Sequence, residues 1–290
     1  MTTSVDRAAF RSRLEDRSRA AVLTPLCLDP LTARLCESMG FEAGYISGGA
    51  LGYQLAVSEA LLTVTELAGT ARAIVRRSAL PIIIDGGVGF GDAVHATRMV
   101  WEFEASGAAG VELEDQVVPK RVSHHRGVEH LIPIDEMVAK VRFAAEARRD
   151  PDFLLIARTG AVHNESLDAA VERVNAYAEA GADLVMLFPD RPEDWAGLAE
   201  RVQAPLVAMV SLDYRPPAPW AELGVRMVID PFTGQVAAFD AVRAAYAGQL
   251  DGSGSGRTLK EWMSVYRELP GLAGLDALYD IERATTEPGT

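Results

Sequence analysis

IIIDGGVGFGD, residues 82–92, is an apolar run that ends in an acid, breaks on two glycines and resumes at Asp92. Three isoleucines in succession after Leu80 and Pro81 suit a strand covered on both faces, as in a parallel sheet. Asp85 is then the last side chain of that strand, and Gly86 and Gly87 turn the chain towards a helix that starts at Asp92. Two chemistries fit an acid at the lip of a strand beside glycine. The turn can cradle a phosphate on its amides, or it can clear space for a metal held by Asp85.

Seven further runs of the same kind flank this one: AVLTPL (21–26), AGYISGG (43–49), GVELED (110–115), FLLIART (153–159), LVMLFP (184–189), PLVAMV (205–210) and VRMVID (225–230). Segments of helical period lie between most of them: TELAGTARAIVRR, AVHATRMVWEFEASG, IDEMVAKVRFAAEARRD, LDAAVERVNAYAEAG and the shorter RPEDWAGLAERV. Several end in Gly or Asp-Pro, as helix C-termini do. Eight strands alternating with helices predict an α/β fold of the (β/α)8 TIM-barrel type. A doubly wound open sheet is the rival, but it more often stops at five to seven strands. The length of 290 residues suits one such barrel.

Apolar residues make up 49% of the chain, enough for a large core, and the formal net charge is −13. That acidity gives no nucleic-acid footprint and no affinity for an anionic membrane. Cys27 and Cys36 have no motif spacing and read as buried thiols in a reducing compartment. The charged N-terminus is no signal peptide, and no run approaches the ~20 apolar residues of a membrane span. A soluble, cytoplasmic protein is expected. Residues 1–247 read as the barrel. GQLDGSGSG (248–256) is a flexible linker by composition, and residues 248–290 form a helical extension with TLKEWMSVYREL and GLDALYDIERA. Their apolar faces need cover, either from a neighbouring subunit or from their own barrel.

In a barrel the active site lies at the C-terminal strand ends. Those ends carry Ser47-Gly48-Gly49, Asp85, Glu112, Glu114-Asp115, Arg158, Asp190 and Ser211. Side-chain alternation puts Glu112 and Glu114 on one face of their strand, with Leu113 and Asp115 on the other. Two glutamates inside a barrel need neutralising. A divalent cation shared with Asp85 does this, and so do Arg158 and Lys120. Oxygen-only ligation suits Mg²⁺ or Mn²⁺ rather than zinc. The loop VVPKRVSHHRGVEHL (117–131) is basic, holds three of the five histidines, and stands where barrels commonly place a lid.

At these residues the sequence resembles the isocitrate lyase/phosphoenolpyruvate mutase superfamily. The resemblance runs from about residue 20 to 245 and rests on YISGG (45–49), IIIDGGVGFG (82–91), LEDQVVPKR (113–121), DPDFLLIART (150–159) and AYAEAGADLVMLFP (176–189). It implies a modified TIM barrel that binds Mg²⁺ and forms or breaks C–C or P–C bonds beside a 2-oxo acid. It also implies a homotetramer, with a C-terminal helix exchanged between neighbours. By the same resemblance Ser47, Gly48 and Gly49 bind the oxo-acid carboxylate, with Tyr45 and Ser211 beside them. Asp85 ligates the metal, Glu114 does so through water, and Arg158 anchors a carboxylate. Lys120, Arg121 and His124 fall in the mobile catalytic loop of the lyase branch, and Asp190 stands where a glutamate is more usual.

Four positions depart from the pattern. Gly87 replaces a second aspartate, Val122 the lyase cysteine, Gly160 the aspartate after Ala-Arg-Thr, and Met209 an asparagine. Valine moves no proton, so a standard isocitrate or methylisocitrate lyase is not expected. Glu112 is expected to reach into the space left at Gly87 as a replacement metal ligand, the alternative being an ion pair with Arg158. The functional expectation is a metal-dependent enzyme acting on a small 2-oxo or 2-hydroxy carboxylate through an enolate-type intermediate. The rivals are a redirected enzyme with a redox metal or other divalent metal, and a non-catalytic oxo-acid-binding relative.

Overall fold

The computed structural model describes residues 5–124, 126, 129–189 and 191–286. Eight parallel strands run β1 (Val22–Thr24), β2 (Gly44–Ile46), β3 (Ile82–Asp85), β4 (Gly110–Glu114), β5 (Leu154–Arg158), β6 (Leu184–Met186), β7 (Leu206–Met209) and β8 (Val225–Ile229). Each pairs with its sequence neighbour from β2 to β8, and β8 pairs with β1. The barrel closes just past β1, where Tyr45 N–H donates to Pro25 O (2.9 Å) and Cys27 N–H to Tyr45 O (2.8 Å). All eight apolar runs of the sequence are strands, and the fold is the expected (β/α)8 barrel.

Strand alternation divides the core in two. Val22, Tyr45, Ile83, Ile156, Met186, Val207, Met227 and Ile229 fill the barrel interior, and Phe10 and Leu14 of α1 (Arg7–Glu15) plug its N-terminal end. The intervening side chains, such as Ile82, Ile84, Val111, Leu113 and Leu155, pack outward under the helices. Those helices include α2 (Pro30–Ser38), α3 (Gly48–Gln54), α4 (Val64–Val75), α5 (Ala93–Ser106), α6 (Ile134–Glu146), α7 (Ala161–Asn164) and α8 (Leu167–Glu179).

Two local readings change. The RPEDWAGLAERV segment is a 3-10 turn at Pro192–Trp195 followed by the short α9 (Leu198–Arg201), because Gly197 sits at φ +77° between them. The expected linker starts later than residue 248: α10 (Thr233–Asp251) takes its first four residues and stops at Gly252, φ +78°. Beyond it lie α11 (Leu259–Tyr266), α12 (Leu269–Ala273) and α13 (Asp276–Thr285), with α12 against α2.

Candidate active site

Asp85, Glu112, Glu114 and Arg158 lie at the C-terminal ends of neighbouring strands because the register aligns them. Asp85 pairs with Glu112 across β3 and β4, and Glu114 pairs with Arg158 across β4 and β5. All four point inward, as alternation requires. Glu112 and Glu114 are 0% and 1% exposed, so their charges are met within the protein. Arg158 supplies the cation. Its Nη1 lies 2.7 Å from Glu112 Oε1 and its Nη2 3.0 Å from Glu114 Oε2, a fork spanning two carboxylates that a lysine has no geometry to match. The Phe188 ring packs against the guanidinium, with its centroid at 5.1 Å.

Beneath this pair, Tyr45 is fully buried and its hydroxyl donates to Glu112 Oε2 at 2.6 Å. Both oxygens of Glu112 are therefore engaged, one by Tyr45 and one by Arg158. The ion pair weighed in the sequence is the arrangement present, and Glu112 is not aimed at the space beside Gly87. Burial pushes its pKa up to about 7 even against Arg158. Burial also raises Glu114, but Arg158 and Lys120 outweigh it and hold that carboxyl below its usual range.

The glycines after β3 serve distinct purposes. A Cβ on Gly86 would meet Glu112 O at 2.6 Å and Met99 Sδ at 2.7 Å, so the backbone passes there only without a side chain. Gly87 has φ +51°, a left-handed conformation, and open space where its Cβ would be. Its N–H donates to Asp85 Oδ1 (2.9 Å), while Gly48 N–H donates to Oδ2 (3.0 Å). The phosphate reading fails at the next helix. Asp92 caps α5 with its own carboxylate, which accepts from Val94 and His95 N–H and occupies the amides a phosphate would use. The turn opens instead into a cavity of about 230 Å³, lined by Gly48, Glu59, Asp85, Gly87, Phe90 and Lys120 among others.

Glu59 is a site residue the sequence reading missed. It stands in a 3-10 turn (Glu59–Leu61) between α3 and α4, and its Oε1 contacts Lys120 Nζ at 2.5 Å and His124 Nε2 at 2.6 Å. Lys120 Nζ also reaches Glu114 Oε1 at 2.6 Å. The basic loop that follows β4 is thus held onto the barrel mouth by a carboxylate from the segment that follows β2, two strands away. Burial acts to raise the pKa of Glu59, but the His124 hydrogen bond and the Lys120 charge prevail and bring it to about 2. The Glu59 hydrogen bond in turn raises His124. Little in the sequence hinted at it, since Glu59 lies ten residues beyond the SGG turn, on the far side of α3. Gly48 and Gly49 make the approach possible, since a Cβ on Gly49 would lie 3.0 Å from Glu59 Oε2.

The remaining candidates scatter. Ser47 caps α3, its Oγ accepting from Ala50 N–H at 3.3 Å. Ser211 stands past β7, its Oγ accepting from Asp213 N–H at 3.3 Å and facing Thr233 Oγ1 at 3.5 Å. Arg121 is exposed, and its carbonyl accepts from His124. Val122 is 59% exposed. Asp190 and the loop's His125 lie outside the described residues. Asp115, on the outward face, is tied to Thr159, Tyr177 and Arg173 and belongs to the scaffold.

The ligand-type side chains lining the cavity are both carboxylates, Asp85 and Glu59, and Glu114 is joined to Glu59 through Lys120. Among the described residues no three His, Cys, Asp or Glu side chains stand close enough to cage an ion by themselves. That combination fits a hard divalent ion such as Mg²⁺, which keeps several waters and takes one or two protein carboxylates. It does not fit a transition-metal cage of histidines.

Comparison with known proteins shows the family of the chain. A family model described as phosphoenolpyruvate phosphomutase matches residues 10–250. The 2-methylisocitrate lyase of Aeropyrum pernix is 40% identical over 74% of this chain and 71% of its own. The 2,3-dimethylmalate lyase of Eubacterium barkeri is 33% identical over 91% and 93%. The oxaloacetate decarboxylase of Chromohalobacter salexigens is 37% identical over 83% of each. A crystal structure of phosphonopyruvate hydrolase in complex with oxalate and Mg²⁺ superposes with a TM-score of 0.84 at 28% identity, covering 97% of this chain and 99% of that one. These relatives are lyases, a decarboxylase and a hydrolase that cleave C–C or P–C bonds. This chain belongs to the phosphoenolpyruvate phosphomutase family of the phosphoenolpyruvate mutase/isocitrate lyase superfamily and is a lyase-type or related enzyme.

Proposed function

We propose that the protein cleaves or forms a C–C bond in a small 2-oxo or 2-hydroxy carboxylate, with Mg²⁺ or Mn²⁺ bound at Asp85. The observation that carries this reading is Arg158. It is a buried guanidinium spanning Glu112 and Glu114 at the barrel mouth, where the neighbouring cavity is lined by the carboxylates of Asp85 and Glu59. A cationic anchor next to a hard-ion site matches a ligand that bears a carboxylate beside a carbonyl. Arg158 orients that carboxylate, and Glu112 and Tyr45 fix the plane of the guanidinium from below. Lys120 and His124, drawn down on Glu59, exclude water from the mouth. Ser47 and Gly49 supply a hydroxyl and an amide on the opposite side; Gly48 N–H is committed to Asp85. Asp85, with Glu114 through water, would hold the metal, which when bound polarises the carbonyl and spreads developing charge.

The exposed aliphatic Val122 supports a reaction other than that of a standard isocitrate or methylisocitrate lyase. The assembly reading is a homotetramer. Val236, Phe239, Tyr246 and Leu250 form an uncovered stripe on α10, and Trp262, Tyr266, Leu278 and Ile281 on the terminal helices are likewise exposed.

The test is metal titration by calorimetry followed by a turnover screen of oxaloacetate, 2-methylisocitrate, 2,3-dimethylmalate and phosphonopyruvate. Asp85→Ala should lose both metal binding and turnover while keeping the fold. Unchanged metal affinity in that variant sinks the ligand assignment.

A further inference from the structure

At the end of β5 two buried polar atoms have no hydrogen-bond partner among the described residues: Arg158 Nε and Glu129 Oε2. One is a donor and the other belongs to a carboxyl group. Glu129 reaches this place because residue 160 is glycine. A Cβ there would lie 1.7 Å from Glu129 Oε2 and 2.7 Å from its Cδ, so the carboxyl fills the volume a side chain at 160 would take. The backbone does not call for glycine, since φ at Gly160 is −90°. The four residues that follow are α7, and its last residue fixes the backbone of Glu129. Glu129 N–H donates to Asn164 Oδ1 at 3.1 Å, and Asn164 Nδ2 donates to Glu129 O. One short segment therefore both makes room for this carboxyl and clasps its main chain.

We propose that Glu129 is a catalytic proton-transfer residue, placed to exchange a proton with carbon 3 of a bound 2-oxo carboxylate. The inference rests on the substrate reading above. Cleavage beside a 2-oxo group leaves its electron pair as an enolate. The Glu129 carboxyl gives its proton to carbon 3, the C2–C3 double bond becomes single, and the C2 oxygen returns to a carbonyl. Glu129 is left as a carboxylate and regains a proton from water. In reverse, the carboxylate removes a carbon-3 proton from a bound 2-oxo acid.

The surroundings shift Glu129 towards its protonated form. Burial raises its pKa, Arg158 and Lys120 oppose this, and Glu114 and Asp115 reinforce it. Arg158 is near enough to act on the Glu129 charge, and its unpartnered Nε offers a hydrogen bond to the ligand whose carbon is protonated.

The reverse step gives a test that needs no knowledge of the natural substrate. Pyruvate is incubated with the Mg²⁺-loaded enzyme in D₂O, and loss of its methyl proton signal is followed by NMR. Binding of oxalate, a stable enolate mimic, is measured in parallel by calorimetry. Wild type is expected to exchange deuterium, and Glu129→Gln to lose about 100-fold or more of that rate with oxalate affinity close to wild type. Gly160→Ala should give the same pattern from the other side, by displacing an unaltered carboxyl. It also supplies the test if the first variant does not fold. Wild-type exchange in a folded Glu129→Gln, or a wild type that binds oxalate yet exchanges nothing, overturns the proposal. A wild type that does not bind oxalate overturns the substrate reading instead, and the inference with it.

Discussion

Gly87→Asp separates the cost of a backbone from the value of a ligand. The backbone at Gly87 is left-handed, φ +51°, which costs an ordinary L-residue roughly 1–2 kcal/mol, and aspartate is among the residues that tolerate it best. No atom lies within 4 Å of the position its Cβ would take, so no packing penalty adds to that. The expected loss of stability is about 1 kcal/mol, a melting shift of about 2–4 °C. The new carboxylate faces the cavity that holds Asp85 and Glu59. Unit charges about 4 Å apart interact by about 4 kcal/mol at an effective dielectric of 20. Desolvation of the added acid offsets most of this, leaving about 1.4 kcal/mol, a tenfold gain in Mg²⁺ affinity. Calorimetric titration reads the affinity, and thermal melting reads the backbone cost. Gly86→Ala is the contrast: its Cβ would press on Glu112 O and on Met99, and it should unfold the site rather than tune it. A folded Gly87→Asp with wild-type Mg²⁺ affinity would refute the placing of the metal beside Asp85.

Arg158→Lys keeps the charge but loses the fork between Glu112 and Glu114, and KM for the 2-oxo acid should rise about tenfold or more; an unchanged KM would show that Arg158 does not touch substrate. In Glu59→Gln the His124 pKa, followed by NMR titration, should fall towards the ordinary histidine range. The sign follows from the two shifts. The raised His124 pKa makes its contact fully stabilising below the usual histidine value, and the contact is lost as pH rises through the raised one. Glu59, held at about 2, contributes above the ordinary carboxylate range and loses its contribution as pH falls towards 2. A His124 titration unmoved by the substitution would mean that Glu59 does not hold the loop. Deleting the chain after Gly256 should lower both oligomeric state and stability, and sedimentation at full-length stoichiometry would rule out exchange of the terminal helices.

The barrel and half of its site were legible because both rest on local periodicity. Nearly unbroken apolar runs of strand length mark strands buried on both faces, and a period of two sends Glu112, Glu114 and Arg158 inward wherever β4 and β5 lie. The start of a helix at Asp92 was legible, but that its own carboxylate caps that helix was not. Even the broken helix at residues 191–202 had its sign in Gly197, which periodicity alone did not weigh.

What only the tertiary structure decided is which charge meets which. The sequence left Glu112 with two fates, a ligand near Gly87 or a partner of Arg158; the β4–β5 register and the hydroxyl of Tyr45 from β2 took the second. Glu59 gave almost no signal, because its partners Lys120 and His124 lie about sixty residues away in the loop after β4. Glu129 looked like one more polar residue of a solvated loop until Gly160 was seen to leave room for it. Strand formation depends on neighbours a few residues apart. The protonation and pairing of a buried charge depend on closure of all eight strands, and no segment read alone contains that information.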